Sequence, residues 1–242
     1  MLIIPEFSLP RLTKHQKTRF LRYAQQVLEA QQQMITPNGE NIVHYALEKK
    51  TPQHMDHYPK GDRIDHDTGA QYFYHCHREN FETEEHGHFH CFLRYNRISK
   101  QIRPTSLVDW DKNIDNPMTH VVAIAINRYG QPIRLFSVNR WISHEIWYDA
   151  KHTLSFIKQF KMTKKDSSYW QLLDSWVEGM LHLFAPQIQW LNDARDIIIS
   201  HYKTVYPDSN VYEDPRLDLL SEIPINLNKQ IQWILDFELV KN

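Results

Sequence analysis

The amino-acid sequence predicts an α+β fold: a central antiparallel β-sheet, an N-terminal helix, and a helical C-terminal half packed on one face of the sheet. Three observations lead there. Apolar residues recur at helical spacing from Thr13 to Met34, change to short alternating segments between about residues 40 and 141, and return to helical spacing beyond Ser143. No flexible linker separates the two halves. The 242 residues are therefore expected to form one domain, 1–242, sheet-rich over 40–141 and helical over 143–240.

Each element has its own justification. Thr13 and Gln16 have capping-box spacing at the start of the first helix, with Phe20, Ala24, Val27, Leu28 and Met34 on one face. Pro37-Asn38-Gly39 ends it. Residues 71–78, 86–94, 119–126 and 133–141 alternate or run apolar as strands do, with Tyr129 to Pro132 as a hairpin turn. Short loops between neighbours favour antiparallel pairing. Ser143 is expected to cap a helix carrying Ile146, Trp147, Ala150, Leu154 and Ile157. Ser168 and Gln171 repeat the capping-box pattern, Pro186 suits a helical first turn, and residues 227–239 form a last helix. The tryptophans at 170, 176, 190 and 233 fall at helical spacing and read as core.

Composition narrows the function classes. Lys and Arg number 28 and Asp and Glu 29, a formal net charge of −1, so no general attraction to nucleic acid is expected. The longest aliphatic run, Val121 to Ile126, falls far short of the about 20 residues of a membrane span. MLIIPEFSLP lacks a basic leader and is not read as a signal peptide. With that, the two cysteines, Cys76 and Cys91, point to thiols in a reducing cytoplasm. With only six glycines, and none in a phosphate-cradling loop, nucleotide binding of that kind is not expected.

Histidine is the outlier. Eight of the 15 lie in the 37 residues from His54 to His90. Alternation sorts the two segments QYFYHCHR and HGHFHCFLR into faces, since residues two apart on a strand point the same way. His75 and His77 share one face, as do His86, His88 and His90 with Phe92 and Arg94. Tyr74, Cys76, Phe89, Cys91 and Leu93 form the opposite, core-like surface. Paired as a hairpin, the strands would present five imidazoles on one side. That pattern suits a divalent transition metal, zinc or iron first, with copper, nickel or manganese using similar ligands. The metal-ligand candidates are His75, His77, His86, His88 and His90. His120, at the head of the next strand, stands in reserve.

Glu82 and Glu85, among the four glutamates of the connecting loop, are candidates for a general base or an extra ligand. Arg94 and Arg140 are candidates for holding an anionic small-molecule substrate. His54, His57, Asp62, Asp65, His66 and Asp67 lie in a loop-rich stretch where simple turn chemistry is the better expectation. An open coordination position would support hydrolytic or oxidative chemistry on a small molecule. A closed shell would instead mean a non-catalytic metal-binding or sensing protein. Without metal, alternating histidines are an ordinary solvated strand face.

Three resemblances bear on these residues. His75-Cys-His77-Arg-Glu-Asn-Phe-Glu82 resembles the His-x-His-x4-Glu core of the cupin motif, although the glycine that follows in that family is missing. His86-Gly-His88-Phe-His90 is similar to the histidine-triad hydrolase motif. That likeness implies His88 as a nucleophile toward a nucleotide phosphate, supported by His86 and His90, with no metal. Gly87 stands where that family prefers a bulkier residue. Taken whole, the segments 58–62, 68–78, 85–90 and 139–141 resemble a bacterial family of about this length whose function is uncharacterised, which implies a cytoplasmic bacterial protein and no particular activity.

Overall fold

A computed structural model describes residues 2–53, 56–76, 84–105 and 117–236. Helix α1 (Lys14–Met34) begins as the capping box requires: the Gln16 amide donates to Thr13 Oγ1, and the Thr13 amide donates to Gln16 Oε1. Phe20, Tyr23, Ala24, Val27, Ala30 and Met34 are buried, whereas Leu28 faces outward. A short helix, α2 (Ile42–Ala46), leads into the sheet.

The sheet has six antiparallel strands in sequence order: β1 (Tyr58–Ile64), β2 (Ala70–His75), β3 (Glu85–Arg94), β4 (Met118–Asn127), β5 (Pro132–Val138) and β6 (Leu219–Pro224). Four are the expected strands. The outermost two are not. β1 falls in the stretch expected to be loop-rich; its ladder skips from Tyr58 to Arg63, and Gly61 and Asp62 adopt left-handed φ values of 83° and 62°. β6 lies within the half expected to be helical, after the helices that separate it from its partner β5.

Those helices are α3 (Arg140–Ser143), α4 (Thr153–Gln159), α5 (Ser168–Leu183) and α6 (Ala185–Val205), with α7 (Leu227–Asp236) following β6. The helix expected from Ser143 does not form. His144 turns left-handed, Glu145 is drawn against the β4 backbone, and Ile146 N donates to Met118 O. A 3-10 turn at Ala150–His152 then leads into α4 at Thr153. Ser167, not Ser168, takes the N-cap position of α5, and Pro186 lies in the first turn of α6.

Helices α5 and α6 cover one face of the sheet. Tyr72 Oη donates to Asp174 of α5, Phe89 packs on Trp176 with ring centroids 5.6 Å apart, and Ser221 of β6 donates to Leu191 O of α6. Trp176 is fully buried, and Trp170, Trp190 and Trp233 pack at the margin of the same core. No helix among the described residues is long and apolar enough to cross a membrane.

His182, near the end of α5, is stacked flat on Tyr23 of α1 at 4.3 Å, and its Nε2 lies 3.2 Å from Phe160 O. Burial pushes its pKa down to about 4, against the hydrogen bond to Phe160, which raises it. A depressed folded-state pKa means that the unfolded chain binds the proton first. Stability is thus complete above pH 6.5 and should fall by roughly 3 kcal/mol as the pH drops towards 4. His182→Phe keeps the stacked ring and should remove that acid loss. Urea denaturation of both proteins from pH 7 to pH 4 tests this, and equal slopes would discard it.

Candidate metal centre

The register of β2 on β3 pairs His75 with His88, Tyr74 with Phe89 and Phe73 with His90. The two strands thus share faces as expected. Tyr72, Tyr74, Cys76, Phe89, Cys91 and Leu93 lie in the core under the helices. Gln71, Phe73, His75, His88, His90, Phe92 and Arg94 occupy the other side. β4 places Ala123 and Ala125 beside His90 and His88, and β5 follows with Phe136 and Arg134. The small alanines leave room over the ladder for the imidazoles, and Phe136 meets His88 edge-on at 5.0 Å.

His75, His88 and His90 converge. They are 8%, 5% and 5% exposed, and one ring nitrogen from each lies within 4.8 Å of the others. Ring centroids are 4.5 Å apart for His75 and His88, 4.7 Å for His88 and His90, and 5.4 Å for His75 and His90. This cluster could hold a metal ion. His77 and Glu82, also expected here, lie outside the described residues, as does His54.

His88 and His90 each have an orienting partner on Nδ1. Glu85 Oε1 lies 2.6 Å from His88 Nδ1, and Glu85 is itself held by Arg134 Nη2 at 2.6 Å. His120 Nε2 lies 3.1 Å from His90 Nδ1. Burial raises the Glu85 carboxyl, but the hydrogen bond to His88 and the charge of Arg134 outweigh it and hold the carboxyl below its usual value. Burial, then the neighbouring imidazoles, drives His90 well below the ordinary histidine range. Burial with the Arg195 charge takes His120 to about 3. Both shifts favour the neutral ring, the state in which histidine binds metal.

His120 reaches the site through a ladder irregularity. Cys91 pairs with Val122 but Phe92 pairs with His120, so Val121 is an extra residue in β4. Glu145 secures this bulge: it accepts from His120 N at 2.8 Å, Thr119 Oγ1 at 3.1 Å and Ser143 Oγ at 3.0 Å. Buried completely, its carboxyl is pushed up to about 7.

A second irregularity removes His86. Glu85 pairs with Asn127 and Gly87 with Ile126, so His86 is the extra residue of β3. Its Nδ1 lies 2.7 Å from Tyr74 Oη, a core-facing side chain. The five-imidazole face is therefore not what forms at this end. The alternation behind the histidine-triad resemblance breaks between His86 and His88.

Gly87 makes the bulge possible. A Cβ there would lie 2.5 Å from both His75 O and Tyr74 Oη. Gly87→Ala should destabilise the fold by about 1–3 kcal/mol, since backbone must shift to accept the methyl group. A denaturation midpoint equal to wild type would show that the bulge has slack.

The remaining candidates lie around this cluster. Arg94 Nη1 donates to Gln71 Oε1 on the trio's face. Arg140 bonds the Glu145 carbonyl and pairs with Glu213, which engages it in holding α3 rather than at the trio. Asp65 does perform turn chemistry, accepting from Asp67 N and Thr68 N, and it also ties the turn to Thr163. Sequence reasoning assigned no role to Arg134 and left His57 among turn residues. His57 in fact stacks on Phe73 at 3.6 Å beside the trio. Only its closeness to the histidine-rich strands hinted at this.

Fold and site together define an α+β sheet protein with a buried three-histidine cluster on the sheet face opposite its helices. The chain belongs to the family of the domain of unknown function DUF6969, whose model matches residues 21–225, a span that contains all six strands and the whole cluster. No curated protein and no solved structure matches the chain.

Proposed function

We propose that the chain is a transition-metal protein, with zinc or iron held by His75, His88 and His90 and a remaining coordination position open to a small molecule. The convergence of three buried imidazole nitrogens within 4.8 Å carries this reading. The Nδ1 partners support it: if His88 donates to Glu85 and His90 to His120, each turns its Nε2 lone pair toward the metal, the arrangement that orients metal-bound histidines generally. Three protein ligands and one exchangeable position are the usual set for a catalytic zinc, which supplies an activated water or polarises a carbonyl. Hydrolytic chemistry follows with zinc and oxidative chemistry with iron. Glu85 then serves as orienting carboxylate for His88 rather than as a general base, because His88 and Arg134 already occupy it.

The burial of all three ligands also favours a second reading, a non-catalytic or sensing site with a closed shell. The buried thiols Cys76 and Cys91 suit a reducing, cytoplasmic setting in either case.

Elemental analysis of protein prepared without a histidine tag tests the metal itself. About one equivalent of metal per chain is expected, lost in the His75→Ala/His88→Ala double variant. Protein that stays metal-free after incubation with zinc or ferrous ion would refute the centre. Displacement of metal-bound water by an added small ligand separates the open site from the closed one.

A further inference from the structure

Beside the trio lies a directional chain of hydrogen bonds that ends on His57. It starts at Arg94, whose guanidinium can only donate, and Arg94 Nη1 donates to Gln71 Oε1 at 2.9 Å. That contact fixes which end of the buried Gln71 amide faces Asp62, and Gln71 Nε2 donates to Asp62 Oδ2 at 2.6 Å. The other oxygen, Asp62 Oδ1, lies 2.8 Å from His57 Nδ1. A carboxylate only accepts, so Nδ1 carries a proton, and a ring holding that one proton presents its lone pair at Nε2. Among the described residues nothing bonds that nitrogen.

The placement is deliberate in physical terms. Asp62 holds a left-handed φ of 62° at the β1 bulge, a costly conformation for a residue with a side chain. What it gains is a carboxylate that joins His57 to Gln71. The His57 ring lies flat on Phe73, with 7° between the planes, and its centroid is 6.4 Å from that of His75. Its side chain is 44% exposed, whereas the trio is buried, so it stands on the solvent side of the cluster. Its relation to Asp62 repeats that of His88 to Glu85.

We propose that His57 is the hydrogen-bond acceptor for a protic small ligand, one bearing an O–H or N–H group, held at the open position of the His75–His88–His90 centre. Asp62, Gln71 and Arg94 are positioning residues that set its tautomer. This rests on the metal reading above, and it narrows the substrate class to molecules that keep an O–H or N–H proton while bound to the metal.

The test uses full-length protein loaded with cobalt(II), whose visible absorption reports coordination, titrated with acetohydroxamate (protic) and azide (no proton to donate). In His57→Phe, which keeps a flat ring on Phe73, acetohydroxamate binding should weaken about tenfold, the scale of one lost hydrogen bond, with azide and cobalt affinities unchanged. Asp62→Asn retains a residue that tolerates the left-handed backbone. Because Gln71 still donates, the asparagine oxygen must face it, and its NH2 group then faces His57. The His57 tautomer reverses, so azide should bind more tightly and acetohydroxamate less. Cobalt bound normally, with both ligands unaffected or equally weakened in the two variants, overturns the role of His57 alone. Wild-type protein that takes up no cobalt overturns the metal centre and this assignment with it.

Discussion

Asp174→Ala should cost about 3–5 kcal/mol of stability, the scale for stripping one partner from a buried ion pair. Arg63 and Asp174 are 4% and 2% exposed. Arg63 donates from Nε to Asp174 Oδ1 at 3.0 Å and from Nη2 to Oδ2 at 2.6 Å, while Asp166 takes a second bidentate contact at 2.7 and 2.8 Å. Tyr72 Oη donates to the same Asp174 oxygen as Nε does. Alanine would leave a buried guanidinium half-paired and a buried phenol without an acceptor. Edge strand β1 would lose its tie to α5, and β1 is the strand that carries Asp62. Desolvation, not lost attraction, dominates that cost. The triple replacement Arg63→Met/Asp174→Leu/Tyr72→Phe, which removes the buried polar groups together, should therefore recover most of it. Denaturant titration of the three proteins decides the point: a single-variant loss under about 1 kcal/mol would mean that water reaches the network.

The second large effect separates His90 from His86, two residues that plain alternation treats as equivalent. His90 sits among His75, His88 and His120, whereas His86 bonds Tyr74 on the opposite face. His90→Ala should lower zinc affinity by roughly 100- to 1,000-fold, since structural zinc sites share on the order of 10–16 kcal/mol among their ligands. His86→Ala should leave zinc affinity within about threefold of wild type, an energy change below about 0.7 kcal/mol. Competition titration with a chromophoric chelator gives both values. Equal losses in the two variants would mean that the β3 bulge does not persist in solution. The contrast depends on one extra residue in a ladder.

Local chemistry made much of the architecture legible. The Thr13–Gln16 capping box, most of the apolar stripe of α1 and the alternation over residues 71–76 and 87–94 are each encoded within a few residues and form from that local chemistry. Leu28 shows the limit of the helical pattern, since it belongs to the periodic set and yet faces solvent. β6 was hidden for another reason. Its pairing partner β5 lies some 80 residues earlier, and nothing in LLSEIP distinguishes a strand from the start of a helix until Ser221 meets Ser137. The missing helix after Ser143 yielded to a tertiary demand, the capture of Glu145 by the backbone of β4.

By itself the sequence determined the α+β class, the opposed faces of the hairpin and the membership of His75, His88 and His90 on one of them, because a period of two residues follows from strand geometry alone. Only the tertiary structure decided that His86 leaves that face, that His120 joins it and that His57 stands over Phe73. For the two histidines on the strands the physical reason is the same. Bulges shift side chains by one position, and a bulge forms where the neighbouring strand, a buried carboxylate or a glycine makes the slip cheaper than regular pairing, information that lies on other strands rather than beside the histidines.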